Sequence, residues 1–270
     1  MSRLCSALKV SRSGYYAWKR RPESARAIRH RELTVKIRGY FAASDETYGA
    51  KRIRFDLRDE GEHVGKNTVA LLMRKAGLVP RTIRRFRATT WSRKTIASPN
   101  VLEQNFAADG PDEKWVSDIT AIPTREGWLY LCMFLDLYSR AVVGWSMSSR
   151  SKGTLVTDAL NMAILRRQPR SQVLVHSDQG SQYTSDEYQR ILRNHGMISS
   201  MSRKGCCWDN AVAERFFQSL KTERTHHNNY RTRTQAKASV FEYIETFYNT
   251  RRRHSGLEYQ APLVYEAEQK

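Results

Sequence analysis

The fold is decided by residues 114–147, which read KWVSDITAIPTREGWLYLCMFLDLYSRAVVGWSM. Apolar, aromatic and β-branched residues dominate three runs, 114–122, 128–136 and 140–147. Turn residues separate the runs: Gly127 in the first break and the Tyr138-Ser139 pair in the second. Runs of this length with such short breaks predict three strands joined as a meander.

Beyond the meander, helical and strand patterns alternate. The apolar spacing predicts helices at 153–167, 185–194, 209–223 and 234–251, and strands at 173–176 and 197–201. Three strands followed by alternating helix and strand predict an α/β fold, a mixed five-stranded sheet with helices on its faces. This is the order of elements in the ribonuclease-H-like fold.

The region 1–80 has a different pattern, with three predicted helices at 24–43, 48–60 and 67–76. Glycines fall in the breaks between them, and Asn67 or Thr68 is placed to cap the third helix. Short helices joined by glycine turns in a basic segment are typical of a helix-turn-helix-like DNA-binding unit. A plain basic helical bundle is the alternative.

Charge is concentrated at the amino-terminal end. The chain carries a net charge of +19; the region 1–100 holds 24 Lys and Arg against 8 Asp and Glu, whereas the region 101–270 holds 22 against 19. A field of this sign attracts polyanions, so we expect the basic end to hold nucleic acid. On charge alone, ribosomal-type RNA binding stays open.

Membrane and secreted classes are not supported. No apolar run approaches the roughly 18 residues needed to span a bilayer, no stretch combines an apolar face with this charge, and the start lacks a signal-peptide pattern. The four cysteines form neither a disulfide framework nor a zinc half-site. We therefore expect a cytoplasmic protein with no membrane partner.

Residues 74–94 form a strongly basic connector, with eight Lys and Arg and no acid. Such a segment is expected to lie along phosphates, although a merely solvated linker has the same composition. Within and before it, the predicted DNA contacts are Arg84, Arg85, Arg87 and Lys66.

Three acidic residues stand in contexts where acids are uncommon. Asp118 interrupts the first predicted strand, Asp178 ends the strand at 173–176, and Glu214 lies in a helix with an apolar face. A buried carboxylate is costly unless it is paired or binds a metal. One such acid is usually a salt-bridge partner, but three in matching contexts indicate a metal site.

The helix at 209–223 sorts its residues by helical period. Its predicted core face is Ala213, Phe216, Phe217 and Leu220, and its other stripe is Asn210, Glu214, Gln218 and Lys221. Lys221 follows Glu214 by seven residues, about 10.5 Å along the helix. A metal at Glu214 and a DNA phosphate at Lys221 are therefore compatible, and an ordinary surface lysine is the alternative.

The three acids lie in three short sequence motifs. These are WVSDIT at 115–120, HSDQGSQY at 176–183 and DNAVAERFF at 209–217. They resemble the three motifs of the retroviral-integrase-type (DDE) catalytic core, in the version of the OrfB transposases of the bacterial insertion-sequence-three family. The stretch between Asp178 and Glu214, 179–213, has the length that this family shows. The likeness extends to residues 14–18 near the start and 248–265 near the end.

The resemblance implies a transposase that cleaves the 3′ ends of an insertion sequence and transfers them to another strand. It implies two Mg²⁺ ions, with Mn²⁺ as a substitute, and Asp118, Asp178 and Glu214 as both catalytic residues and metal ligands. Carboxylates suit this task because Mg²⁺ prefers hard oxygen ligands, and two ions can serve the attacking and leaving oxygens.

The implied partners are DNA, further copies of the chain on that DNA, and an OrfA product joined by frameshift fusion. The implied location is the bacterial nucleoid. Four regions are expected: a DNA-binding region at 1–80, a basic linker at 81–111, the catalytic core at 112–230, and a final helix and tail at 231–270.

Two other functions are weighed against this one. A non-catalytic, sequence-specific DNA-binding or regulatory protein would use only the basic end, with the acids paired to arginines. A tyrosine recombinase would use arginines, a histidine and a tyrosine nucleophile, which residues 251–259 supply. Their spacing is too compressed for that constellation.

Overall fold

The computed structural model describes residues 2–81, 98–203 and 207–268. The chain divides into two compact units, Met1–Pro80 and Arg81–Lys270. The predicted fold class is confirmed: a small all-α unit precedes a ribonuclease-H-like mixed sheet of five strands with flanking helices. None of the helices in the described ranges is long and apolar enough to cross a membrane.

The first unit contains five helices in its described part: α1 (Ser2–Ala7), α2 (Arg12–Arg20), α3 (Ala25–Ala43), α4 (Ala50–Asp59) and α5 (Lys66–Lys75). The last three pack on one another around a small core. Its buried side chains are Leu33, Ile37, Phe41, Ile53, Leu57, Val69, Leu72 and Met73. These residues recur at helical spacing, which is why the three helices were predictable.

The predicted cap of the third helix is wrong. Helix α5 begins at Lys66 after Gly65, whose extended backbone ends the preceding turn, and no side chain in the described part of the chain caps it. The helix therefore starts before Asn67 and Thr68, which lie inside its first turn. Helices α1 and α2 were not predicted from the sequence; α2 buries none of its residues.

The second unit is built on the strands β1 (Lys114–Thr124), β2 (Gly127–Asp136), β3 (Val142–Ser148), β4 (Leu174–Ser177) and β5 (Ile198–Met201). Their order in the sheet is β3-β2-β1-β4-β5. Strands β1, β2 and β3 pair antiparallel as the predicted meander, whereas β4 and β5 add in parallel beside β1. The central strand β1 therefore has the meander on one side and the parallel strands on the other.

Both faces of this sheet are covered. The helices are α6 (Gly153–Arg167), α7 (Asp186–Asn194), α8 (Ala211–Glu223), α9 (Arg233–Glu242) and α10 (Pro262–Glu268). On strand β2, Leu131 and Met133 pack in the core that includes α8 and α9, while Cys132 and Phe134 pack in the core that includes α6 and α7. Because β2 is buried on both faces, apolar residues occupy successive positions along it, which explains the continuous apolar run in the sequence.

Two segments differ from the predicted helices. A 3₁₀ turn, Cys207–Asn210, precedes α8, so the α-helix proper begins two residues later than expected. Helix α9 ends at Glu242 and continues as a π-helical turn, Tyr243–Tyr248. Beyond that turn the Asn249 side chain bonds both backbone groups of Val142, at 2.9 and 3.0 Å, at the start of β3.

Candidate active site

Asp118 and Asp178 belong to neighbouring parallel strands. Strand β1 pairs with β4 in the register Lys114 to Leu174 and Val116 to His176. Asp118 lies two residues beyond Val116 on β1, and Asp178 lies two residues beyond His176, directly after the end of β4. Neighbouring strands lie about 4.8 Å apart. The sheet therefore brings the two backbones together although β2, β3 and α6 all lie between them in the sequence.

Glu214 reaches the same region from α8, which packs against β1. It lies in the first turn of that helix. Four residues earlier, the Asn210 amide donates a 3.0 Å hydrogen bond to the carbonyl oxygen of Ser117, the residue before Asp118. The helix start is thus tied to the strand that carries Asp118. Glu214 is exposed, and Asp118 is partly accessible.

The charges of the other two carboxylates act on Asp118. Burial raises the pKa of Asp118 to about 8; the negative charges of Asp178 and Glu214 add to this rise, and the positive charge of Lys221 opposes it. Burial also raises the pKa of Asp178 and of Glu214. Among the described residues, none of the three carboxylates forms an ion pair. The site therefore brings together acidic groups that no nearby cation neutralises through an ion pair in the described residues.

Local backbone groups orient two of the carboxylates. Asp118 Oδ1 accepts a 2.7 Å hydrogen bond from the Ile119 amide, and Asp178 Oδ1 accepts one of 2.9 Å from the Gly180 amide. A methyl group at Gly180 would lie 2.9 Å from Asp178 Oδ1, so only glycine allows this approach. Over residues 2–81, 98–203 and 207–268, no three His, Cys, Asp or Glu side chains are grouped closely enough to hold a metal ion.

The chemistry of the donors nevertheless fits a divalent cation. Carboxylate oxygens are the ligands that Mg²⁺ prefers, and the carboxyl groups of Asp118 and Asp178 have no ion-pair partner in the described structure. Asn210 adds a buried amide oxygen, Oδ1, that has no hydrogen-bond partner among the described residues. Buried polar oxygens of this kind are rare unless water or an ion serves them.

A buried polar layer that sequence reasoning missed lies beneath the acids. The Ser117 hydroxyl and the Tyr183 hydroxyl are 2.9 Å apart, and both residues are buried. His176 bonds Ser200 through Nδ1 at 2.9 Å and Ser202 through Nε2 at 3.0 Å. Burial lowers the pKa of His176 to about 4, so its ring is neutral at pH 7. The available signal was polar residues next to acids within otherwise apolar strands.

The predicted DNA contacts fall in different places. Lys221 is partly buried. Burial lowers the pKa of Lys221, and the negative charge of Asp118 opposes this decrease. Lys66 is exposed as the first residue of α5, in the other unit. Arg84, Arg85 and Arg87 lie outside the described residues.

Family comparisons match most of the chain. Two models described as "Integrase core domain" match residues 108–207 and 195–262, and one described as "HTH-like domain" matches residues 29–86. The HTH-like match lies in the amino-terminal part of the chain, and the integrase-core matches lie beyond it.

Two relatives are similar over nearly the whole chain. "Transposase InsF for insertion sequence IS3A" of Escherichia coli (strain K12) is 43% identical over 266 residues, which cover 97% of this chain and 92% of that protein. "Transposase for insertion sequence element IS904" of Lactococcus lactis subsp. lactis (strain IL1403) is 42% identical over 249 residues, 92% of this chain and 98% of that protein. The chain belongs to the transposases of the insertion-sequence-three family.

Solved structures similar to this transposase are more distant in sequence. The HTLV-2 integrase catalytic core domain in complex with magnesium, in its trimeric form, is 15% identical with a TM-score of 0.46, over 59% of this chain and 99% of that one. The simian T-cell lymphotropic virus intasome in complex with the PP2A regulatory subunit B56 gamma is 13% identical with a TM-score of 0.47, over 81% of this chain and 70% of that one.

In this transposase the arginine-rich segment near the carboxyl end has a structural role. Arg252 is 5% exposed, and its guanidinium donates to Glu223 at 2.7 and 2.6 Å and to Ser219 at 3.0 Å. His254 Nε2 lies 3.0 Å from Arg252 Nη1. The arginine and histidine suggested for a recombinase site therefore lock the chain after the π turn onto helix α8.

Proposed function

We propose that this transposase cleaves the 3′ ends of its insertion sequence and joins them to another DNA strand by direct phosphodiester transfer. Asp118, Asp178 and Glu214 are the catalytic residues and hold two Mg²⁺ ions, with Mn²⁺ as a substitute. The observation that carries the proposal is that the three acids stand on or directly after paired strands and on a helix whose start is hydrogen-bonded to one of those strands, while none has an ion-pair partner among the described residues.

The reaction has two steps of the same kind. In cleavage, a water oxygen attacks the phosphorus at the element's end; the bond from phosphorus to the 3′ oxygen breaks, leaving a 3′ hydroxyl on the element. In transfer, that hydroxyl attacks a phosphorus of another strand, or first the other end of the same element, and the displaced 3′ oxygen leaves. When bound, the ions activate the attacking oxygen and stabilise the leaving one.

The chain's own residues prepare this chemistry. The Gly180 amide orients Asp178, and the Asn210 amide ties the start of α8, and with it Glu214, to the strand of Asp118. A cation held by Asp118 would favour the ionised form of this carboxyl, whose pKa burial raises. No side chain forms a covalent bond to DNA in either step.

The test replaces Asp118 by Asn, which removes one charge and keeps the size of the side chain. Asp118→Asn should lower cleavage of a labelled duplex carrying the element's own end by at least about 100-fold and weaken Mn²⁺ binding in calorimetry, while the Kd for that duplex changes little. Glu214→Gln should do the same.

The matched control is Asp158→Asn, because Asp158 is an exposed acid on helix α6. It should bind Mn²⁺ and cleave like the wild type. Undiminished cleavage by Asp118→Asn would refute the catalytic proposal and favour the non-catalytic DNA-binding protein.

Lys221 is proposed to contact a phosphate near the scissile one. Its part-buried position close to Asp118 distinguishes it from an ordinary surface lysine. Lys221→Ala should weaken binding of the end duplex and reduce the slope of log K against log salt by about one phosphate contact, with Mn²⁺ binding retained.

The exposed Lys237 of helix α9 provides the comparison. Lys237→Ala should leave both the affinity and the salt slope unchanged. If Lys221→Ala and Lys237→Ala give the same affinity and the same salt slope, Lys221 is an ordinary surface lysine that contacts no phosphate.

The basic end is proposed to hold the DNA. Residues 1–80 and the linker at 81–111, with Lys66, Arg84, Arg85 and Arg87, carry most of the positive charge, and the HTH-like match lies there. The core at 112–230 and the segment at 231–270 then act on the DNA that this end positions.

Assembly on DNA is part of the same proposal. An element has two ends that must be processed together, so more than one copy of the chain is expected on the DNA, with an OrfA product supplied as a frameshift fusion. Mass photometry on end duplexes, with and without the product of the upstream frame, measures the stoichiometry.

A further inference from the structure

Asp209 is a buried acid that the proposed chemistry does not use. Its side chain is fully buried in the 3₁₀ turn that precedes helix α8. Its Oδ2 accepts from Asn100 Nδ2 at 2.9 Å, and its Oδ1 accepts from Gln104 Nε2 at 2.8 Å. Arg203 contributes as well, since its amide donates to Oδ2 at 2.9 Å and its guanidinium donates to both oxygens at 3.1 Å.

Two of these donors come from a distant part of the sequence, residues 98–105, which we call the strap. The strap runs beside β5. The backbone amides of Val101 and Leu102 donate to Ser200 Oγ at 2.9 and 3.1 Å, and the Met201 amide donates to the Pro99 carbonyl at 3.3 Å. The Leu102 side chain, 2% exposed, packs in the core beneath α8 and α9. The strap is therefore anchored independently of Asp209.

The turn that Asp209 holds leads directly to the site. Asn210 follows it and donates to the Ser117 carbonyl, next to Asp118. Glu214 lies five residues after Asp209, in the first turn of α8. A 3₁₀ turn continuing into an α-helix is a short, hydrogen-bonded joint, so a shift of Asp209 displaces Glu214 with it.

We propose that Asp209 is a positioning residue: the strap and Arg203 clamp its carboxylate, and this clamp sets where Glu214 stands relative to Asp118. The inference rests on the proposed function, because the residue that Asp209 positions, Glu214, is one of the metal-binding acids of that site. Partners that orient ligand residues typically change metal affinity or activity by about 10- to 100-fold when removed.

A merely structural ion pair is the competing explanation. Asp209→Ala does not separate the two, because it leaves Arg203 and two amides without their acceptor and can unfold the turn outright. The informative variant removes the strap's two donors, together with the Asn100 oxygen that accepts from the Glu103 amide within the strap. In Asn100→Ala/Gln104→Ala, Arg203 still neutralises Asp209, and the Val101, Leu102 and Pro99 contacts still hold the strap in place.

The matched control is Glu103→Ala, which changes an exposed strap residue between the two donors. Each full-length variant is examined by hydrogen exchange of the peptide covering residues 207–216, by calorimetric binding of Mn²⁺, and by kcat and KM for cleavage of the end duplex. Thermal unfolding of each variant is recorded alongside.

The double variant is expected to exchange faster over residues 207–216, to bind Mn²⁺ about 10-fold more weakly and to lose about 10- to 100-fold in kcat, with KM for the duplex and exchange elsewhere unchanged. Glu103→Ala should match the wild type. If the double variant folds poorly, Gln104→Ala alone should show the same pattern at smaller amplitude.

Unchanged exchange over residues 207–216 would overturn the proposal. Faster exchange with wild-type Mn²⁺ affinity and kcat would overturn it as well, because the clamp would then not set the site. A wild-type chain that neither binds Mn²⁺ nor cleaves would instead refute the proposed function, which separates the two failures.

Discussion

Breaking the buried ion pair between Arg252 and Glu223 should destabilise the second unit strongly. Their side chains are 6% and 9% exposed, and two hydrogen bonds of 2.6 and 2.7 Å join them. Removing one partner of such a pair costs about 3–5 kcal/mol, because the other charge stays buried. In Arg252→Met the Tyr243 hydroxyl still donates to Glu223 at 2.8 Å, so we expect the lower end, about 3 kcal/mol.

Differential scanning calorimetry of the full chain measures this effect. For a unit of this size, 1 kcal/mol shifts Tm by about 2–4 °C, so Arg252→Met should lower it by roughly 6–12 °C. The double variant Arg252→Met/Glu223→Leu removes both charges and should recover part of this loss, although the Tyr243 hydroxyl then lacks its acceptor.

A surface pair serves as the control for this prediction. Arg166 and Glu245 are 2.8 Å apart but 40% and 24% exposed, so Arg166→Met should cost less than about 1 kcal/mol. Two results would refute the reasoning. One is a Tm of Arg252→Met within about 2 °C of the wild-type Tm, a shift no larger than that expected for the control Arg166→Met. The other is a double variant that is as unstable as Arg252→Met alone.

Two further substitutions probe the packing around the site. Gly144→Ala places a methyl group against helix α6, 2.5 Å from the Ala163 amide nitrogen, and should cost about 2–3 kcal/mol in urea unfolding; unchanged stability would contradict the close approach of β3 to α6. Tyr183→Phe removes the hydroxyl that bonds Ser117 at 2.9 Å and should cost about 1 kcal/mol by the same measurement, whereas a gain in stability would contradict a satisfied hydrogen bond there.

Periodicity predicted the elements that bury an apolar face. Helix α6 begins and ends where the sequence placed it, at Gly153 and Arg167, because its apolar residues repeat at helical spacing up to the Arg166-Arg167 pair. The predicted core face of α8, including Phe216 and Leu220, is buried. Helix α2 was not predicted, and it buries none of its residues.

The site was predictable only as far as single residues and their elements. Acids within or directly after apolar strands drew attention to Asp118 and Asp178, but their register across β1 and β4 depends on pairing that no local pattern encodes. The hydrogen-bond partners of Asp209 could not be predicted for the same reason, since Asn100 lies 109 residues away in the sequence. Hydrogen bonds between polar side chains have no periodic signature, unlike apolar burial.

The strap also covers an exposed edge of the sheet. Strand β5 is short and stands at the edge of the sheet, where unpaired backbone groups invite pairing with another chain. The strap lies along that edge, and its Pro99 accepts the Met201 amide but has no amide hydrogen of its own to offer a further strand. A shortened catalytic fragment that begins after residue 105 would lack the strap, and it would expose both this edge and the apolar residues that contact Leu102. If such a fragment aggregated, the cause would be the missing strap and not low solubility of the core itself.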